Sequence, residues 1–181
     1  MILIGISGFA GVGKDTVGQI LAESGFRRVA FADALRDEVA AALGAADYPM
    51  PTLLSRLSVE AFCTAPVEEV YAKPTTIRMR ALLQEWGTEY RRAQDPNYWS
   101  KIVAARMAGV ERACITDVRY ADEAEFVRAH GGVVWRVNRP GYGPSAHASE
   151  RLNFAADYAI DNSGDMDQLR REVGKALEVL S

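Results

Sequence analysis

Gly8-Phe9-Ala10-Gly11-Val12-Gly13-Lys14-Asp15-Thr16 decides how the rest of the chain is read. Ile2-Leu3-Ile4-Gly5-Ile6 precedes it, a short apolar run rich in β-branched residues that reads as a buried parallel strand. Val17, Ile20 and Leu21 then recur at helical spacing until Gly25. Strand, glycine loop, lysine and helix is the order that a phosphate-binding loop requires. Glycines let backbone N–H groups converge on phosphate oxygens, a helix N-terminus adds positive potential, and Lys14 reaches the outer phosphates. One position departs from the usual motif. Asp15 stands where a Ser or Thr hydroxyl would sit on a magnesium ion, and Thr16 follows it. A carboxylate can still hold magnesium through water, and Thr16 can bond an inner phosphate, so the loop is altered rather than broken.

Size and composition narrow the setting. The 181 residues suit one domain, with a net charge of −3, 49% apolar residues and 25% charged. No global basic field draws such a chain to nucleic acid or to a membrane, so anion binding must come from local arginines. The start runs from Met1 into a strand without room for a signal peptide, and no apolar run is long enough to span a bilayer. Cys63 and Cys114 lack metal-ligand spacing and read as reduced, partly buried thiols. His130 and His147 make no metal constellation either. A cytoplasmic location is expected.

Further along, Arg28 to Phe31 reads as a second strand ending at Asp33, and Leu35, Val39 and Leu43 mark a helix closed by Gly44. Residues 45–74 hold four of the seven prolines around fragments such as Leu53 to Phe62. A stronger helix from Thr76 places Met79, Leu82, Leu83, Trp86 and Tyr90 on one face, and another runs from Asn97 to Met107. Trp86 and Trp99 read as core. Ala113 to Thr116 is a third strand ending in Asp117, and the Ala121–His130 helix follows. Val133 to Val137 is the fourth strand, and 138–153 an irregular lid. Tyr158 to Ile160 is the fifth strand. The last helix opens at Asp165 with Gln168 three residues on, and buries Met166, Leu169, Val173, Ala176, Leu177 and Leu180. Alternating strands and helices predict an α/β fold: a roughly five-stranded parallel sheet in a three-layer α/β/α sandwich, with a helical insertion over about 45–108 and the lid. Ligands in such folds lie beyond the carboxyl ends of strands, where the phosphate loop, Asp33, Asp117 and Arg139 are expected to meet.

Hydrolysis is disfavoured. Val118 follows Asp117 in place of a glutamate able to activate water, and no Asn-Lys-x-Asp tetrapeptide occurs. Transfer to a second substrate fits better, because arginines are plentiful: Arg36 one turn after Asp33, Arg78, Arg80, Arg91 and Arg92 on the middle helix, and Arg119, Arg136, Arg139 and Arg151 later. Arg119 and Arg139 leave the active edge of strands, where a planar guanidinium can grip phosphate bidentately.

Several blocks together carry a resemblance. They are Gly-Lys-Asp-Thr, Phe31-Ala32-Asp33-Ala34-Leu35-Arg36, Leu83-Gln84-Glu85-Trp86-Gly87-Thr88-Glu89, Thr116 to Glu123, His147-Ala148-Ser149-Glu150 and Ile160-Asp161-Asn162-Ser163-Gly164. In order and over nearly the whole chain, they resemble the phosphate-loop deoxynucleoside monophosphate kinases of bacteriophages, which share the Lys-Asp-Thr ending. The resemblance implies ATP and Mg2+ as donor and a deoxynucleoside 5′-monophosphate as acceptor. Gly11, Val12, Gly13, Lys14, Asp15 and Thr16 would hold the ATP phosphates, and Asn162, Ser163 and Gly164 would flank the adenine. Asp33, Arg36, Gln84 and Thr88 would line the acceptor pocket, with Arg78 or Arg91 on its phosphate. Lys14, Arg119, Arg139 and Asp117 would serve the transfer, and Asp15 and Asp117 would hold magnesium through water. It also suggests a homodimer, and a host cytoplasm if the chain is viral. The nearest alternative is a dephospho-coenzyme A kinase or another small-molecule kinase of this class, whose hydroxyl acceptor would need Asp33 as general base. A phosphate-loop binding module without turnover is the reading from a different class.

Overall fold

The computed structural model describes residues 1–46, 48–143 and 152–180. They divide into two compact units, one of residues 1–30 with 104–181 and one of residues 31–103.

The first unit holds the sheet. Strands β1 (Ile2–Ser7), β2 (Arg27–Val29), β3 (Arg112–Val118), β4 (Val133–Asn138) and β5 (Tyr158–Asp161) run parallel in the order β2-β3-β1-β4-β5. The five expected strands are all present. β1 is central because it is apolar on both faces: Leu3 to Ser7 are all buried. Its even residues, Ile4 and Ile6, join Cys114, Trp135, Val137 and Ile160 in one core with Val17, Ile20 and Leu21 of α1 (Lys14–Glu23). Leu169, Val173 and Ala176 of the last helix, Met166–Glu178, complete that layer. The opposite face meets the helix Ala121–Ala129. A Cβ added to Gly5 would lie 2.9 Å from Val127 Cγ2 and 3.0 Å from Val118 Cγ2, so this helix packs directly over the glycine. The three-layer α/β/α order expected from the sequence follows.

The second unit is helical. It contains α2 (Phe31–Gly44), α3 (Arg56–Thr64), a 3-10 turn at Val67–Val70 and α4 (Ile77–Gln84). A π-helix (Glu85–Arg92) continues α4, and α5 (Tyr98–Met107) spans the boundary of the units. The later helices of the sheet unit are then α6 (Ala121–Ala129) and α7 (Met166–Glu178).

Four sequence expectations are corrected. β2 stops at Val29 and α2 begins at Phe31, so Asp33 lies in the first turn of a helix rather than at a strand tip; a carboxylate there complements the helix dipole. The helix from Thr76 does not keep one winding. Gly87 has no side chain beside Leu35, and its carbonyl accepts the indole N–H of Trp99 at 3.0 Å, which draws backbone out of regular α-helical pairing. Met166, the first residue of α7, is half exposed rather than core, because the apolar stripe begins one turn later at Leu169. Cys63 is exposed, whereas Cys114 is buried. Trp86 and Trp99 are core as expected. Among the described residues no helix is long and apolar enough to cross a membrane.

Candidate nucleotide site

Register places the loops of the sheet unit at one edge. At the carboxyl end of β1, Ser7 pairs with Val118 of β3 and with Arg136 of β4. The phosphate loop leaving Ser7 is therefore flanked by Asp117 and Arg119 on one side and by Arg139 on the other. Asp117 is inside β3 rather than at its end, and is half-buried. Arg119 is exposed on the turn into α6. That turn is shaped by Glu123, whose buried carboxylate accepts the backbone N–H groups of Arg119 at 2.8 Å and Tyr120 at 3.2 Å.

The loop itself has the backbone its glycines were read for. Gly11 has φ 78° and Gly13 φ 98°, conformations that cost an L side chain strain, and Gly13 caps α1. Gly13 O receives the first helical bond from Val17 N at 3.0 Å. The N–H groups of the first turn have no intrahelical acceptors, which leaves them for an anion. Lys14 Nζ donates to the carbonyls of Gly8 at 2.8 Å and Phe9 at 2.7 Å, so the ammonium is folded against the loop it is to serve. Asp15 is exposed in the first turn of α1 and Thr16 is half-buried behind it.

Two side chains from beyond β4 cover the loop glycines. Asn162 Nδ2 donates to Val12 O at 2.8 Å, and a Cβ on Gly13 would fall 2.5 Å from that same nitrogen. Asn162 N in turn donates to Asn138 O at 2.8 Å, which ties the turn after β5 to the end of β4. A Cβ on Gly11 would meet Tyr142 Cε1 at 2.5 Å, and the Arg139 guanidinium sits over the Tyr142 ring at 5.2 Å. Between these groups lies a pocket of about 260 Å³, lined by Phe9, Val12, Asn138, Arg139, Pro140, Tyr142 and Asp161. Ser163 donates from its N–H and hydroxyl to the Asp161 carboxylate, which fixes the turn into α7, and Gly164 follows it, exposed. Of the expected lid, β4 takes Asn138 and the described residues continue to 143. The block His147 to Glu150 and Arg151 lie outside the described residues.

The residues expected at the acceptor are in the helical unit, each with its own surroundings. Arg36 donates to the Val70 carbonyl and to Thr75 Oγ1 at 3.0 Å, and burial lowers its pKa. Arg78 donates two hydrogen bonds to the Glu69 carboxylate, from Nε and Nη2, and a third from Nη1 to Thr64 Oγ1 at 3.2 Å. That pairing holds the Glu69 carboxyl below its usual range. Arg91 donates from Nε to Glu38 Oε1 and from Nη2 to Tyr48 OH at 3.0 Å, and lies over the rings of Tyr90 and Tyr98. The same Glu38 accepts the Trp86 indole at 2.9 Å and the Tyr98 hydroxyl at 2.6 Å. Burial, reinforced by that bond, pushes the Tyr98 hydroxyl up to about 12. Gln84 and Thr88 are exposed, and Asp33 is half-buried.

The fold recurs in solved structures. TT1252 from Thermus thermophilus matches with a TM-score of 0.56 and 19% identity, over 99% of this chain and 98% of that one. A shikimate kinase from Bacteroides thetaiotaomicron matches at 0.50 and 14% identity, over 99% and 98%. Another, from Acinetobacter baumannii in complex with shikimate, matches at 0.50 and 13%, over 99% and 92%. The chain shares its α/β fold with these proteins. At these identities the likeness is one of fold alone. No family model matches the chain, and no curated protein does.

Two residues that shape the site, Glu123 and Tyr142, were not named as site residues from the sequence, and a third, Asn162, was given another contact. Glu123 entered only as the last residue of the block from Thr116, with no role of its own. Tyr142 lay in a segment without periodicity. Asn162 was expected beside a base, while its side-chain hydrogen bond is to the loop backbone. Only the Glu123 role had a local signal, a carboxylate three residues after a helix start.

Proposed function

We propose that the chain is a nucleotide kinase that transfers the γ-phosphoryl group of ATP to a deoxynucleoside 5′-monophosphate. The observation that carries the reading is the glycine loop with Lys14 at its end, joined to a pocket walled by Arg139 and Tyr142. The loop would take the phosphates of ATP, and the pocket its planar base, against the Tyr142 ring and the Arg139 guanidinium. The residues suit the metal too. Asp15, in the first turn of α1, and Asp117, in β3 beside the loop, would hold a phosphate-bound magnesium ion through water. Magnesium, when bound, neutralises charge on the β- and γ-oxygens.

The chain's own part in the reaction is positioning and charge. A monophosphate has its second pKa at about 6 and is largely a dianion at neutral pH, so it needs no strong base. The obstacle is repulsion between donor and acceptor. Lys14, Arg119 and Arg139 would offset it, and among the described residues no carboxylate pairs with either arginine. Residues of 138–153 would exclude water.

A hydroxyl acceptor, as in the small-molecule kinases, is the second reading, and one observation favours it. Arg78 and Arg91, the expected partners of an acceptor phosphate, are each already paired with a carboxylate, Glu69 and Glu38. A panel of the four deoxynucleoside monophosphates, dephospho-coenzyme A and shikimate, each with ATP and magnesium, separates the two by ADP release. Monophosphate-dependent release supports the first reading, and release with a hydroxyl acceptor alone replaces it. Lys14→Ala and Arg119→Ala are expected to lower turnover by about 10³ or more with the fold intact. Near-normal turnover removes that residue from the mechanism.

A further inference from the structure

An aspartate beside the phosphates is an electrostatic anomaly. Polyphosphate is strongly anionic, and a carboxylate in the first turn of α1 repels it where a hydroxyl would not. Asp15 is not alone, however. Arg28 Nη2 of β2 donates to Asp15 Oδ1 at 3.1 Å, across thirteen residues of sequence. Arg28 pairs in register with Cys114 of β3, whose side chain belongs to the core beneath α1, so Arg28 rises along that same face toward the loop. Gly18, one turn after Asp15, clears its path. A Cβ there would lie 3.7 Å from Arg28 Cδ and 2.4 Å from Thr116 Cγ2. The guanidinium is also felt by the Cys114 thiol, on which it acts against the larger effect of burial. Edge strand, glycine and aspartate thus serve one contact.

We propose that Arg28 is a positioning residue of the phosphate loop, fixing the Asp15 carboxylate and offsetting its charge so that an altered loop can hold a polyphosphate. The inference rests on the nucleotide reading and deepens it: the usual hydroxyl is replaced by an ion pair of two chain segments. A stability role is a poor alternative. The side chains are 38% and 72% exposed, and pairs so open to water contribute little to folding.

The charge argument makes a distinctive demand. Without magnesium, Arg28 is the cation that pairs with Asp15 among the described residues; with magnesium, the metal would share that task. Binding of a fluorescent ATP analogue is to be measured in EDTA and in magnesium, at low ionic strength, for wild type, Arg28→Met, Arg28→Lys, Asp15→Ser and the Arg28→Met/Asp15→Ser pair. Arg28→Met is expected to weaken binding about tenfold in EDTA and less in magnesium. Arg28→Lys should retain most of the affinity, because it keeps the charge. In the Asp15→Ser background, Arg28→Met should change binding less than about twofold. All variants should melt within about 2 °C of wild type. An unchanged affinity of Arg28→Met in EDTA, or an equal loss in the Asp15→Ser background, overturns the proposal. If wild type binds no ATP analogue in either condition, the nucleotide reading itself falls and this inference with it.

Discussion

Substituting Gly13 tests whether the phosphate loop is held from outside by Asn162. Gly13→Ala makes two demands on the structure. At φ 98° an alanine enters left-handed backbone at a cost of about 1–2 kcal/mol. Its Cβ would also lie 2.5 Å from Asn162 Nδ2, closer than two such atoms approach, so Asn162 must leave. Departure breaks the 2.8 Å bond to Val12 O, worth about 1 kcal/mol. The single variant should therefore lose about 2–3 kcal/mol, read as a fall in melting temperature of roughly 4–12 °C. Asn162→Ala alone loses the bond and should cost about 1 kcal/mol. In the double variant the obstacle is already gone, and only the backbone strain is added, so the total stays at about 2–3 kcal/mol. The two singles sum to about 3–4, and the cycle should show a coupling of about 1 kcal/mol in the sense of relief. Urea or thermal unfolding of the four proteins measures it. Additive costs would refute the reasoning: Asn162 would then not occupy the space that glycine leaves open.

Two further outcomes follow from buried groups. Glu38→Ala removes the acceptor of the Trp86 indole, the Tyr98 hydroxyl and the Arg91 guanidinium, whose side chain is 17% exposed. A loss of about 3–5 kcal/mol is expected, with Glu38→Gln milder, and a wild-type melting curve for Glu38→Ala would contradict the network. The thiols should separate: exposed Cys63 should react with a disulfide reagent at pH 8, and Cys114 only after denaturation, as a count of one and then two thiols. Burial pushes the Cys114 thiol up to about 11 from 9.0. The unfolded chain therefore gives up its proton first, so this contribution is intact below about pH 9 and declines as pH rises toward 11. Stability that holds level over that interval in a Cys114→Ala comparison would show the opposite.

Local chemistry made the sheet unit legible. Gly8 to Thr16 announces its own geometry, because few residue types other than glycine occupy positive φ and lysine ends the loop. The three inner strands, β1, β3 and β4, are largely apolar runs that are satisfied by burial between layers. The helical unit yielded less, because its organisation lies in contacts across long stretches of chain. Glu38 looks like one polar position on a helix. Its partners are 48, 53 and 60 residues away, and no periodicity brings Trp86, Arg91 and Tyr98 to one carboxylate. The π-helix was hidden likewise, since its cause is a carbonyl of Gly87 turned to an indole twelve residues on. Asp33 was misplaced because β2 is an edge strand of three residues, too short for its end to be read from an apolar run that continues into α2.

The arginines show why a count of cations is a poor guide to an anion site. Fixed position and spare charge are separate properties, and only a residue with both can serve a phosphate. Arg78 and Arg91 are well fixed, but their charge is spent on Glu69 and Glu38; breaking either pair would leave a carboxylate without its cation. Arg36 is held by a carbonyl and a hydroxyl, both neutral, and the nearby Asp33 carboxylate acts on its charge without a direct hydrogen bond. Arg139 is placed by a ring, which orients a guanidinium at little electrostatic cost, and Arg119 by a turn whose backbone Glu123 holds. Among the described residues, neither Arg119 nor Arg139 has a carboxylate partner. On the proposed reading, an acceptor phosphate would reach Arg36 at a smaller electrostatic cost than Arg78 or Arg91, each of which would have to leave a carboxylate behind.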